Sequence, residues 1–71
     1  MTTLRVVLCE TPFGRRAYMP EPGWTPPGPI IDARELGPLE LEQAQREVRQ
    51  RSGEVYADAL ARVVFGEGRA R

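Results

Sequence analysis

Residues 4–20 read LRVVLCETPFGRRAYMP, and how this stretch folds back on itself decides the architecture. Leu4 to Glu10 is rich in β-branched and aliphatic residues and reads as a strand. Thr11-Pro12-Phe13-Gly14 follows. Proline suits the second position of a type I turn and glycine the left-handed position after it, which predicts a three-residue hairpin loop. Arg15 to Pro20 is then the return strand. In this register Thr11 faces Arg15, Glu10 faces Arg16, Cys9 faces Ala17, Leu8 faces Tyr18, Val7 faces Met19 and Arg5 faces Glu21. The charged pairs are opposite in sign and the interior pairs are apolar, each contributing roughly 0.2–1 kcal/mol. Val7, Cys9, Ala17 and Met19 fall on one face, and Leu4, Val6, Leu8 and Tyr18 on the other. A one-sided sheet alternates polar with apolar, so this hairpin is expected to be covered on both sides.

The next stretch, Pro20 to Pro29, holds five of the seven prolines, two of the seven glycines and the only tryptophan, Trp24. Pro26 and Pro29 have the spacing of a polyproline II ligand, but the flanking arginine of such ligands is missing, Ile31 standing there instead. A flexible linker would have nothing large on either side to join. The remaining reading is a stiff crossover from hairpin to helices, with Trp24 folded over the sheet as a lid. The proposed Arg5–Glu21 pair would start this strap inside the sheet.

Ile30-Ile31 predicts a short third strand. Asp32-Ala33-Arg34-Glu35 has capping-box spacing and predicts a single helical turn ended by Gly37. Leu36-Gly37-Pro38-Leu39-Glu40-Leu41 is the clearest local signal in the chain. Gly37 serves as N-cap, Pro38 as the first helical residue and Glu40 as the third, with Leu36 and Leu41 spaced as a hydrophobic staple. The first helix should run from Pro38 to about Arg51. Its acids come early and its arginines late, matching the helix dipole. Glu42/Arg46 and Glu47/Arg51 are spaced as i,i+4 pairs. Its apolar stripe, Leu41, Ala44 and Val48, is narrow.

Ser52-Gly53 breaks or kinks the helix, and Glu54 to about Phe65 is helical again, ended by Gly66-Glu67-Gly68. Residues 69–71 read as a frayed tail, leaving residues 1–68 as a single small domain. The polar residues Glu54, Asp58 and Arg62 make one thin stripe on the second helix, and apolar residues wrap the rest. A helix apolar nearly all round is normally buried, and a hairpin with one mostly polar helix offers little to bury it. The expectation is an α+β fold whose second helix lies partly in an interface. The candidate interface residues are Trp24, Val55, Tyr56, Ala59, Leu60, Val63, Val64 and Phe65.

The composition narrows the chemistry. The chain has 71 residues, one cysteine, no histidine, and ten arginines balanced by ten acids. A chain this short buries only about 60% of its unfolded surface, and no intrachain disulfide or Cys/His zinc site is available to support it. Oligomerisation or docking on a partner remains. No stretch is long and apolar enough for a signal peptide or membrane span, so a cytoplasmic protein with no membrane partner is expected.

Without histidine there is no Ser-His or Cys-His nucleophile pair, and without lysine no Schiff base. Ser52, the only serine, reads as a cap or turn residue. Cys9 reads as a buried inert thiol. No catalytic, cofactor-binding or metal-binding residue is assigned, no cofactor is expected, and the chain is not expected to be an enzyme.

Zero net charge gives no long-range attraction to nucleic acid. The alternative of a nucleic-acid-associated regulator would use Arg15, Arg16, Arg46 and Arg49, with Trp24 stacking on a base. The order of strand, then GRRAYMPEPG (Gly14 to Gly23), then helix loosely resembles antitoxins of the HicB type. The resemblance covers only those residues, and no residue role is carried over from it. The favoured expectation is a non-catalytic protein–protein interaction or regulatory module, either a homo-oligomer or a small accessory subunit.

Overall fold

The computed structural model describes residues 3–66, which excludes the expected frayed tail at 69–71. The elements are β1 (Leu4–Thr11), β2 (Gly14–Tyr18), β3 (Ile30–Leu36), α1 (Pro38–Gln50) and α2 (Tyr56–Phe65). The strands form one antiparallel sheet in the order β2-β1-β3. With both helices towards the C-terminus, this is the expected α+β fold.

The hairpin forms, but in a different register. Thr11 pairs with Gly14, Glu10 with Arg15, Cys9 with Arg16, Leu8 with Ala17 and Val7 with Tyr18. The loop is therefore two residues, Pro12 and Phe13, and not three. The Thr11 side chain explains this. Its Oγ1 accepts the Phe13 N–H at 3.1 Å and donates to the Gly14 carbonyl at 2.6 Å, closing the turn from inside. Gly14 then takes a φ of 111°, which a residue with a Cβ adopts only at a cost.

A slip of one residue turns the whole return strand over. Ala17, not Tyr18, joins Val6 and Leu8 on the helix side. Tyr18 goes to the side of Val7 and Cys9. There it meets Trp24, with ring centroids 5.7 Å apart.

The third strand is longer than Ile30-Ile31 suggested. The helical turn expected at Asp32–Glu35 is instead strand, because Arg5, Val6, Val7 and Leu8 pair with Glu35, Arg34, Ala33 and Asp32. The ladder offers more hydrogen bonds than an isolated turn, so a local capping signal loses to it. Arg5 thus faces Glu35, not Glu21, and Glu21 lies beyond the end of β2. A bulge at Leu8/Cys9 brings Ile30 opposite Cys9.

Because β2 and β3 are both antiparallel to β1, they run in the same direction. Residues 19–29 must therefore carry the chain back along the sheet and across β1. The Pro-rich stretch is this crossover. Trp24 is half-buried against Tyr18, and the Glu21 carbonyl accepts the Trp24 N–H at 2.9 Å, making a tight turn. At its far end the Pro29 carbonyl accepts the Glu10 N–H at 2.9 Å.

On the other side of the sheet, Val6, Leu8 and Ala17 pack with Val48 of α1 and Ala59, Leu60 and Ala61 of α2. Helix α1 starts as its sequence indicates, with Pro38 in the first turn and Glu40 Oε1 accepting the Gly37 N–H at 3.0 Å. Ala44 and Val48 are its buried residues. Arg51 pairs forward with Glu54 at 3.5 Å. Helix α2 begins at Tyr56, two residues later than expected, and ends on Gly66 in the left-handed conformation.

Gly28 offers a direct check on the crossover. A Cβ there would overlap the Glu10 carbonyl oxygen. Gly28→Ala should lift the strap off β1, weaken the Glu10–Pro29 bond and cost about 1–3 kcal/mol. Urea unfolding measures this, with Gly37→Ala as a comparison, since Gly37 has a φ of −73° and a Cβ there makes only an ordinary contact, 3.6 Å from Glu40 Oε1.

Candidate functional site

The second helix does not offer the surface expected of it. Ala57 to Ala61 are all buried, and Leu60 is 0% exposed. Ala59 and Leu60, two of the candidate interface residues, belong to the chain's own core. The cause is two-sided packing: α2 lies against β2 and against α1. Its alanines and Ala17 below them leave little bulk between helix and sheet. Val63, Val64 and Phe65 are half-buried against the same core, and Trp24 is half-buried on the other side of the sheet. Only Val55 and Tyr56, at the start of the helix, are exposed.

The polar stripe of Glu54, Asp58 and Arg62 does not all face water. Asp58 is 2% exposed, and its Oδ1 accepts from Arg16 Nε at 3.0 Å. The Arg16 guanidinium lies 5.3 Å from the centre of the Phe13 ring. Arg16 thus joins the hairpin tip, β2 and α2. A carboxylate this deep is tolerated only with a charged, hydrogen-bonded partner. Glu54 and Arg62, the other two members of the stripe, pair with each other at 3.2 Å near the surface.

The arginines suggested for nucleic acid have other partners or positions. Arg15 Nε lies 3.3 Å from Glu10 Oε1, and Arg16 is committed to Asp58. Arg46 and Arg49 are exposed on α1.

Exposed apolar surface collects around β3. Six of its seven residues are exposed, including Ile30 at 49% and Ile31 at 43%. Nearby, Leu4, Leu36, Pro38 and Leu41 line an apolar groove of about 280 Å³, and Leu39, adjacent in the chain, is 74% exposed. Sequence reasoning missed this region because the strand was read as two residues followed by a helical turn. The adjacent apolar pair Ile30-Ile31 was the available signal.

A second cleft, about 240 Å³, lies between α1, β3 and α2 and includes Arg34, Glu40 and Glu47. This is where carboxylates and an arginine come together. Two of the three groups already hold the fold. Glu40 caps α1, while Arg34 Nη1 donates to the Val64 carbonyl at 2.9 Å and its guanidinium sits 5.3 Å from the Phe65 ring centre. Among the described residues, no group of three or more His, Cys, Asp or Glu side chains could hold a metal ion. Among them, no helix is long and apolar enough to cross a membrane.

Cys9 is buried at 0% exposure, and this desolvation raises its thiol pKa. The thiolate is the reactive form, so the folded chain resists thiol reagents. In the unfolded chain the thiol ionises at about pH 8.5, below its folded value. Above that pH the unfolded state binds fewer protons, and stability falls as pH rises. Stability measured between pH 7 and 10 should show this fall, and Cys9→Ala, though less stable overall, should show a shallower one.

Arg16 and Asp58 tie the hairpin to α2, so Arg16→Ala and Asp58→Ala should each destabilise the chain, by about 2–3 kcal/mol, as read by chemical denaturation. Comparison of the chain with protein-family models, with curated proteins and with solved structures finds no match.

Proposed function

We propose that the protein is a non-catalytic interaction module that docks through the outer edge of β3. The observation that carries this reading is the open strand itself: an edge seven residues long, exposed at six of them, with two isoleucines facing solvent. An edge strand presents backbone donors and acceptors ready to pair with another strand. Strand β2, the other edge of the sheet, is shorter and carries α2 beside it. The apolar groove by Leu36 extends the β3 surface. The non-catalytic part rests on Glu40 and Arg34 serving the fold in the cleft between α1, β3 and α2, and on the buried state of Cys9. The expected interaction role is kept, but its location moves from α2 to β3.

The test is the size of the tagged chain, cross-linked in its source cells before lysis, by gel filtration of the extract. The wild type should elute well above the 8.0 kDa of the single chain, and Ile31→Glu should shift it back, because a charge on an edge strand opposes pairing. Elution of the wild type as a single chain in the extract would overturn the reading. Phe13→Lys, a change at an exposed apolar residue of the hairpin tip, should leave the assembly intact.

A further inference from the structure

We infer that the partner of the β3 edge is a second copy of the same chain, paired antiparallel about Ala33; this rests on the docking role proposed for that edge. The backbone decides which residues face outward. In the hairpin the closing pair is Thr11 with Gly14, so Thr11, Cys9 and Val7 direct their backbone groups to β2. Glu10, Leu8 and Val6 then direct theirs to the other side, as the Glu10 N–H to Pro29 bond shows. On β3 the residues bonded to β1 are therefore Asp32 and Arg34, opposite Leu8 and Val6. Ala33 and Glu35, between and beyond them, face the open edge. The Ala33 N–H fits this assignment, since it donates to the Asp32 carboxylate at 2.7 Å.

The charges on β3 choose the register. With outward groups on Ala33 and Glu35, two copies can pair only in registers that differ by two residues. Centring the pair on Ala33 sets each Asp32 opposite the partner's Arg34, giving two pairs of opposite charge. Centring it on Asp32 sets carboxylate against carboxylate, and centring it on Arg34 sets guanidinium against guanidinium. Opposite charges directly across strands stabilise and like charges destabilise. Charged residues commonly protect an edge from any pairing. Here the alternation Asp32-Ala33-Arg34 refuses the neighbouring registers and accepts the central one.

On pairing, the Ala33 N–H exchanges the Asp32 carboxylate for the partner's Ala33 carbonyl, and the carboxylate turns to the partner's Arg34. The result is a six-stranded sheet with all four helices on one face. The contact is short, below the roughly 1,200 Å² of a standard interface, so the dimer should dissociate in the micromolar range or above.

The experiment is light scattering on the purified chain alone, from about 1 μM to 1 mM. The mass should rise from one chain to two. Asp32→Arg, folded by circular dichroism, should weaken the dimer about tenfold or more, since it turns two attractive pairs into two repulsive ones. Asp32→Asn, which leaves neither, should weaken it less, and Arg34 is left in place because it also bonds the Val64 carbonyl. A second measurement does not depend on the charges. Across an antiparallel pair centred on Ala33, the two Ala33 Cα atoms lie about 5.5 Å apart, within disulfide reach. Ala33→Cys should therefore oxidise to a covalent dimer, while Asp32→Cys, diagonal at about 7–8 Å, should do so far more slowly. Cys9, at 0% exposure, takes no part.

A single-chain mass up to 1 mM, a dimer as tight in folded Asp32→Arg as in the wild type, or equal oxidation at positions 32 and 33 would overturn the dimer. If the purified chain stays single while the extract still shows a larger, Ile31-dependent species, the dimer fails and the docking role stands. If both show a single chain, both fail.

Discussion

The turn closed by Thr11 governs the rest of the structure. Its hydroxyl accepts the Phe13 N–H and donates to the Gly14 carbonyl, closing the two-residue loop Pro12-Phe13, and this loop fixes which side of the sheet each residue of β2 faces. Ala17 thereby lies beneath the helices, where its small side chain leaves room for α2. Tyr18 lies on the opposite side, where Trp24 packs on it. Arg16 falls opposite Cys9 and is placed to reach Asp58. A three-residue loop would put Tyr18 under the helices and Ala17 under the strap. Neither the helix packing nor the aromatic contact would then survive.

From that register follow the two layers that bury the sheet. One is the pair of helices, joined to β2 by the Arg16–Asp58 pair between residues 42 apart in sequence. The other is the Pro-rich strap, fastened by Trp24 on Tyr18 and by Pro29 on Glu10. Proline limits the freedom of the unfolded strap, which favours order in a segment with no regular structure. Val7 and Cys9, at 2% and 0% exposure, show that the strap side is closed as well. The sheet is thus protected on both faces, with its open flank at β3. The docking role proposed for β3 rests on this open flank.

Much of this was legible in the sequence, and the failures share one cause. The order of elements, the limits of α1 and the structural role of the Pro-rich stretch all rest on short-range signals: alternation, the Gly37-Pro38-Glu40 cap, the glycines. Where the outcome depended on distant contacts, the reading failed. Thr11-Pro12-Phe13-Gly14 is compatible with two loop lengths, and tertiary packing around Ala17 and Tyr18 favours the shorter. Asp32–Glu35 carries a helix-start pattern, and pairing with β1 overrides it. Asp58 keeps the spacing of a solvent-facing stripe with Glu54 and Arg62, yet Arg16 draws it inside. Ala59 and Leu60, two of the candidate interface residues, are buried for the same reason. An apolar helix was visible in the sequence, but the two surfaces that cover it were not.

Cross-strand contacts between α-protons in a nuclear Overhauser spectrum test the register most directly. Non-hydrogen-bonded antiparallel pairs bring their Cα atoms within about 4.5 Å, and the hairpin described here places Leu8 with Ala17 and Glu10 with Arg15 in that relation. Strong α-proton contacts for those two pairs, with Val7 to Ala33 across the other ladder, are the predicted result. Contacts from Glu10 to Arg16 or from Leu8 to Tyr18 in their place would contradict the account, since they would turn β2 over and remove the basis for both covering layers.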